Sequence, residues 1–102
     1  MIVSLTGEHE LFNAMKLQRL LDGLIDEGLA LVVDLTAATF LDSSIVSVLL
    51  RARERARRAG TSYAVVLDES SGESVIRMFE ITGLDRYLPV VRDREAALSR
   101  AS

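Results

Sequence analysis

The sequence predicts an α/β fold: a single domain over residues 1–102 in which a small mixed, mostly parallel sheet carries about four helices. Three observations predict it. Short apolar runs at 1–5, 29–35, 63–67 and 87–91 alternate with segments of helical period, the order of βαβ units with right-handed crossovers. The run 29–35 is apolar almost throughout, as expected of a strand covered on both faces of a parallel sheet. The chain has 102 residues and is 49% hydrophobic, enough for one real core and too short for two domains.

Taken in order, residues 1–5 alternate weakly as a strand, and Thr6-Gly7 signals a turn. The stretch 8–12 reads as a loop or a strand end. Asn13 is placed to cap a helix whose inner face is Leu17, Leu20, Leu21, Leu24 and Ile25, and Gly28 closes it. After the strand at 29–35 and a polar turn comes Asp42-Ser43-Ser44, then a helix with Ile45, Val48, Leu49, Ala52, Ala56 and Ala59 on one stripe. Its other side carries Arg51, Arg55 and Arg58, with Glu54 spaced to pair with Arg58. Gly60 ends it, and 63–67 forms the next strand. Ser70 with Glu73 fits a capping box for a helix facing inward through Val75, Ile76, Met78 and Phe79, and Gly83 stops that helix. Pro89 gives the strand at 87–91 an edge position, and Asp93 caps a last helix through Leu98.

Composition excludes several function classes. There are no cysteines, so no disulfide scaffold, thiolate metal site or cysteine nucleophile exists. No apolar run approaches the ~20 residues that span a bilayer, and the N-terminus lacks the basic start of a signal peptide. A cytoplasmic protein without membrane insertion is expected. The net charge of −3 is uneven: residues 1–42 carry two basic and seven acidic groups, 43–60 five arginines and one glutamate, 61–102 five basic and seven acidic groups. The acidic total argues against nucleic-acid binding, and the arginine block lacks the interleaved aromatics that stack on bases. That block reads as a solvated helix face or a protein-contact face.

No enzyme is expected. His9 is the only histidine, which leaves no histidine metal cluster, and no spacing converges it with a serine and an aspartate. Glycine-rich phosphate loops are absent, so no nucleotide cofactor is implied. Asp34 and Asp42 lack the third acidic partner of a metal-dependent phospho-acceptor. Asp42-Ser43-Ser44 remains. Two hydroxyls stand where a helix begins, and free N–H groups and the helix dipole favour an anion there. From the pattern alone the serines serve as a plain cap or as a phosphate carrier.

The segment Val32-Val33-Asp34-Leu35-Thr36 followed by Phe40-Leu41-Asp42-Ser43-Ser44 resembles the signature of the STAS family, named for sulphate transporters and anti-sigma factor antagonists. Gly7-Glu8-His9-Glu10-Leu11, Phe79-Glu80-Ile81-Thr82-Gly83-Leu84-Asp85, and Leu88-Pro89-Val90-Val91 with Glu95-Ala96-Ala97-Leu98 resemble three further family segments in the right order. The resemblance implies an anti-sigma factor antagonist that binds an anti-sigma factor acting as a serine kinase. Phosphorylation at Ser43, with Ser44 as its neighbour, would switch that binding off, and a metal-dependent serine phosphatase of the PP2C type would reset it. The implied partner surface is Asp42, Ser43, Ser44, Ile45, Ser47 and Arg51. A second implied role is a STAS subunit that docks on a membrane transporter ATPase without phosphorylation. The sequence departs from the family pattern in having Ile45 in place of glycine, which is expected to add bulk beside the contact surface, and Glu10 in place of aspartate. It also begins at the family's second strand, so the first edge strand is missing and an edge near Ile2 is expected to be open to a second copy of the chain.

Overall fold

The computed structural model describes residues 2–5, 7–9, 11–68 and 71–91. The elements run β1 (Ile2–Ser4), β2 (Gly7–His9), α1 (Leu11–Asp26), β3 (Leu31–Asp34), β4 (Ala38–Leu41), α2 (Ser43–Ala59), β5 (Tyr63–Val66), α3 (Glu73–Thr82), a 3₁₀ turn (Leu84–Arg86) and β6 (Val90–Val91). The main sheet has the order β1-β3-β5-β6, and every strand pairing among the described residues is parallel. The antiparallel part of the expected mixed sheet is not seen among them, and the helix expected from Asp93 lies outside them.

β3 is the centre of the sheet. It is paired on both edges, with Val33 in register with Val3 and Val65, and all four of its residues are buried. That is why its sequence is apolar without alternation. One face of the sheet presents Leu31, Val33, Tyr63 and Val65 to a core that Leu21 and Ile25 of α1, Ile45 and Leu49 of α2, and Val75 and Phe79 of α3 complete. Each such side chain contributes about 1.5–3 kcal/mol on burial. The other face holds a smaller cluster of Val32, Ala64 and Val66. β1 has one strand partner, β3, so among the described residues it is an edge strand, and β6 is the opposite edge. Pro89 stands just before β6, where its carbonyl accepts from the Val65 N–H at 3.0 Å.

A second, two-stranded sheet lies apart from the first: β2 pairs with β4, with a register shift between Gly7 and Glu8. β2 decides the alternative left open at 8–12 in favour of a strand end, and β4 was not expected as a strand. Because the chain passes from β2 almost directly into α1, the helix begins at Leu11. Asn13 therefore sits inside the first turn rather than capping it.

The expected helix stops are present. Gly28 has φ of 78°, its N–H bonds the Ile25 carbonyl at 2.9 Å, and the Leu29 N–H reaches back to Leu24 at 3.2 Å. Gly60 repeats the arrangement after α2 with φ of 73°. This left-handed turn satisfies carbonyls the helix leaves open, and glycine adopts it without a Cβ penalty. α3 starts at Glu73 with Gly72 at its N-cap and no side-chain cap. The Ser70–Glu73 capping box is thus displaced by two residues, and Ser70 lies outside the described residues. Ser71 is buried, and its hydroxyl accepts from the Asp68 N–H at 3.2 Å. In the core, the Tyr63 hydroxyl donates to the Leu49 carbonyl of α2 at 3.0 Å, and burial pushes this phenol above its ordinary range.

Candidate functional site

The corner between β4 and α2 is built by one carboxylate. Asp42 is extended (φ −92°, ψ 176°) and stands at the N-cap of α2. Its Oδ1 accepts from the Ser44 N–H at 3.0 Å, from the Ile45 N–H at 3.2 Å and from the Ser44 hydroxyl. Two of the helix's four open N–H groups are thereby satisfied. The cap is therefore Asp42, not a serine.

The two serines differ. Ser44 is half-buried and its hydroxyl is committed to Asp42. Ser43 is exposed, and among the described residues its hydroxyl makes no hydrogen bond. Ser47 and Arg51 are exposed one and two turns further on, so the three form a strip along the outer face of α2. Phe40 is 42% exposed on β4, three residues before Ser43. Its exposure is a feature that apolar character in the sequence does not announce. Ile45 is a correction. It is fully buried in the core, so it offers no surface to a partner and adds no bulk beside Ser43. Its place at the head of the apolar stripe, with Val48, Leu49 and Ala52, decides its direction.

Asp34 has a local role. Buried at the end of β3, it accepts the Thr36 N–H on Oδ1 at 2.9 Å and shapes the turn into β4. The arginine block is largely engaged within the protein. Arg55 forms a two-pronged pair with Asp26 of α1 at 3.0 and 2.8 Å and lies 3.7 Å from Asp22. Arg57 grips Glu54 in the same way, and Arg58 reaches it at 3.2 Å, the expected i,i+4 pair. Arg51 donates to Gln18 at 3.1 Å. The hydrogen bond from Arg55 lowers the Asp26 carboxyl, and that from Arg57 holds the Glu54 carboxyl down at about 2.

Among the described residues no group of three His, Asp or Glu side chains is placed to hold a metal ion. None of the described helices is long and apolar enough to cross a membrane. His9 lies on β2.

The family model of the STAS domain matches residues 1–97. The chain belongs to the STAS domain family. Solved STAS-like structures agree with it over almost its whole length. An anti-sigma factor antagonist from Mycobacterium paratuberculosis is 28% identical, with a TM-score of 0.83 over 98% of this chain and 83% of that one. A candidate anti-sigma factor antagonist from Thermotoga maritima is 22% identical, with a TM-score of 0.80 over 98% and 86%. The Bacillus protein SpoIIAA in its phosphorylated form is 17% identical, with a TM-score of 0.68 over 99% and 89%. No curated protein sequence matches the chain. In this STAS domain the Asp-Ser-Ser corner of the sequence becomes one exposed hydroxyl on a helix start that a neighbouring carboxylate has already organised.

Proposed function

We propose that this STAS domain is an anti-sigma factor antagonist, a partner-switching regulator whose unphosphorylated form binds an anti-sigma factor that is also a serine kinase, with Ser43 as the phosphate acceptor. The observation that carries the reading is the difference between the serines: Ser43 is exposed and unbonded among the described residues, whereas Ser44 is held by Asp42. The 28% identical antagonist from Mycobacterium paratuberculosis supports the same role.

The physical consequence of modification is local. A phosphate adds about −1.5 to −2 charges and three acceptor oxygens. At Ser43 it would stand at the positive end of α2, which tolerates an anion without refolding. The strip of Ser43, Ser47 and Arg51 would change from neutral-to-basic to acidic at one end. A partner shaped for a hydroxyl would face charge repulsion beside Asp42 and unpaired burial, and losing ~3 kcal/mol of contact weakens binding by roughly a hundredfold. A PP2C-type phosphatase would restore the hydroxyl. The antagonist itself performs no chemistry.

The test is intact mass after co-expression with the anti-sigma kinases of its own genome. A single added phosphate is expected on the wild type and on Ser44→Ala, and none on Ser43→Ala. Ser43→Ala should keep its stability within about 0.5 kcal/mol, since an exposed serine outside the cap holds nothing in place. A folded wild type that takes no phosphate from any of these kinases would instead favour constitutive docking, as in a STAS subunit bound to a transporter ATPase.

A further inference from the structure

β4, the strand that delivers the chain to Ser43, is only four residues long, and its two middle residues, Thr39 and Phe40, are exposed. Along one edge it pairs with β2, itself three residues long and out of register at its start. So short a ribbon has little stability of its own. Besides the burial of Ala38 and Leu41 in the core, further support comes from an element far away in the sequence. The Gly72 N–H donates to the Ala38 carbonyl at 2.8 Å, and the Ser74 hydroxyl donates to the Thr39 carbonyl at 2.7 Å. The first turn of α3 thus takes the place of a third strand.

The approach is too close for any side chain at position 72. Gly72 has φ of −56° and ψ of 143°, a conformation open to every residue, so backbone freedom is not what the glycine supplies. The requirement is space. A Cβ at Gly72 would stand 2.7 Å from Thr39 Cα, 2.8 Å from the Thr39 carbonyl oxygen and 2.9 Å from that of Ala38. All three are backbone atoms, which cannot swing aside as a side-chain tip can.

We propose that Gly72 and Ser74 are positioning residues for the switch corner: by fixing the Ala38 and Thr39 carbonyls, the start of α3 sets where Asp42 and Ser43 stand. Only two residues separate Thr39 from Asp42, and one of them, Leu41, is buried, so β4 has little slack to absorb a shift. Its functional meaning rests on the reading of Ser43 as the acceptor; its structural part does not. The inference also assigns a reason for glycine at the start of α3.

The experiment uses the full chain, ¹⁵N-labelled, as wild type, Ser74→Ala, Ser74→Thr and Gly72→Ala. In Ser74→Ala the Ser44 and Ile45 amide resonances, which report the bonds to Asp42 Oδ1, are expected to move, while Val33 and Val65 in the central strands stay. Ser74→Thr, which keeps the hydroxyl, restores them. Gly72→Ala produces the same shifts more strongly. If it fails to fold, Ser74→Ala decides alone. The second readout is the phosphorylation of Ser43 by an anti-sigma kinase from the same genome, where Ser74→Ala should lower kcat about fivefold, the factor carried by one ordinary hydrogen bond, with KM little changed. Unmoved Ser44 and Ile45 resonances in Ser74→Ala would overturn the proposal. A wild type that accepts no phosphate would remove the functional reading of Ser43 and leave the resonance result to decide the positioning.

Discussion

The two ends of α2 are held by different physics. At the N-terminal end one carboxylate, Asp42, gathers two backbone N–H groups and a hydroxyl, and no acidic residue occupies the first turn. At the C-terminal end the support is ionic: Arg55 to Asp22 and Asp26 of α1, Arg57 and Arg58 to Glu54, and a glycine turn beyond. Arg57 and Arg58 also suit the negative end of the helix dipole. The difference teaches how one helix can be held at its two ends by different means. Ion pairs are concentrated where α2 docks on α1 and are absent from its first turn among the described residues.

The largest expected effect sharpens this comparison at the N-terminal end. Ile45→Ala should cost about 2–5 kcal/mol in urea unfolding, because Ile45 is a fully buried core residue. A near-neutral result would return Ile45 to the surface and break the separation of the core from the exposed face of α2. Next comes the cap. Asp42→Ala should cost about 1 kcal/mol and Asp42→Asn much less, since asparagine caps about as well as aspartate. Equal losses for both would show that charge, not the hydrogen bonds, organises the corner.

The smallest effect belongs to the ionic end. Arg55→Ala should lower the unfolding midpoint by less than either change above, because its pairs are solvent-exposed, and added salt should shrink the loss. Its pH dependence has a definite sign. The Asp26 and Glu54 carboxyls are lower in the folded protein than their ordinary values of 3.8 and 4.5. Their pairs therefore stabilise fully above that range and are lost as pH falls through it, towards about 2 for Glu54. The gap between wild type and Arg55→Ala, measured by urea unfolding at a series of pH values, should close as Asp26 takes up its proton. A gap that persisted in acid would mean that Arg55 acts by packing.

The sequence made the long elements legible and the short ones not. α1, α2 and β3 announce themselves through period and burial, and Gly28, Gly60 and Gly83 mark the ends of α1, α2 and α3 where positive φ is required. β2 and β4 escaped because four residues with two exposed, paired with three residues, carry no pattern distinguishable from loop. The start of α3 was misplaced because Gly72 answers to the backbone of β4, a contact across more than thirty residues that local capping rules cannot see. At the corner, Asp42 and the exposed Ser43 followed from local chemistry. Ile45 carried two conflicting assignments, and the apolar stripe was the sounder signal. The pairing of Arg55 with Asp22 and Asp26 needed the docking of two helices to become visible.

The bond from Tyr63 to the Leu49 carbonyl has an optical consequence. The chain contains no tryptophan and two tyrosines, of which Tyr63 is buried against α2 and Tyr87 is 59% exposed. Tyrosine light from this protein therefore has an inner and an outer source, and only the inner one sits where α2 meets the sheet. Absorbance and emission of an unlabelled sample can follow whether that helix stays seated on the sheet.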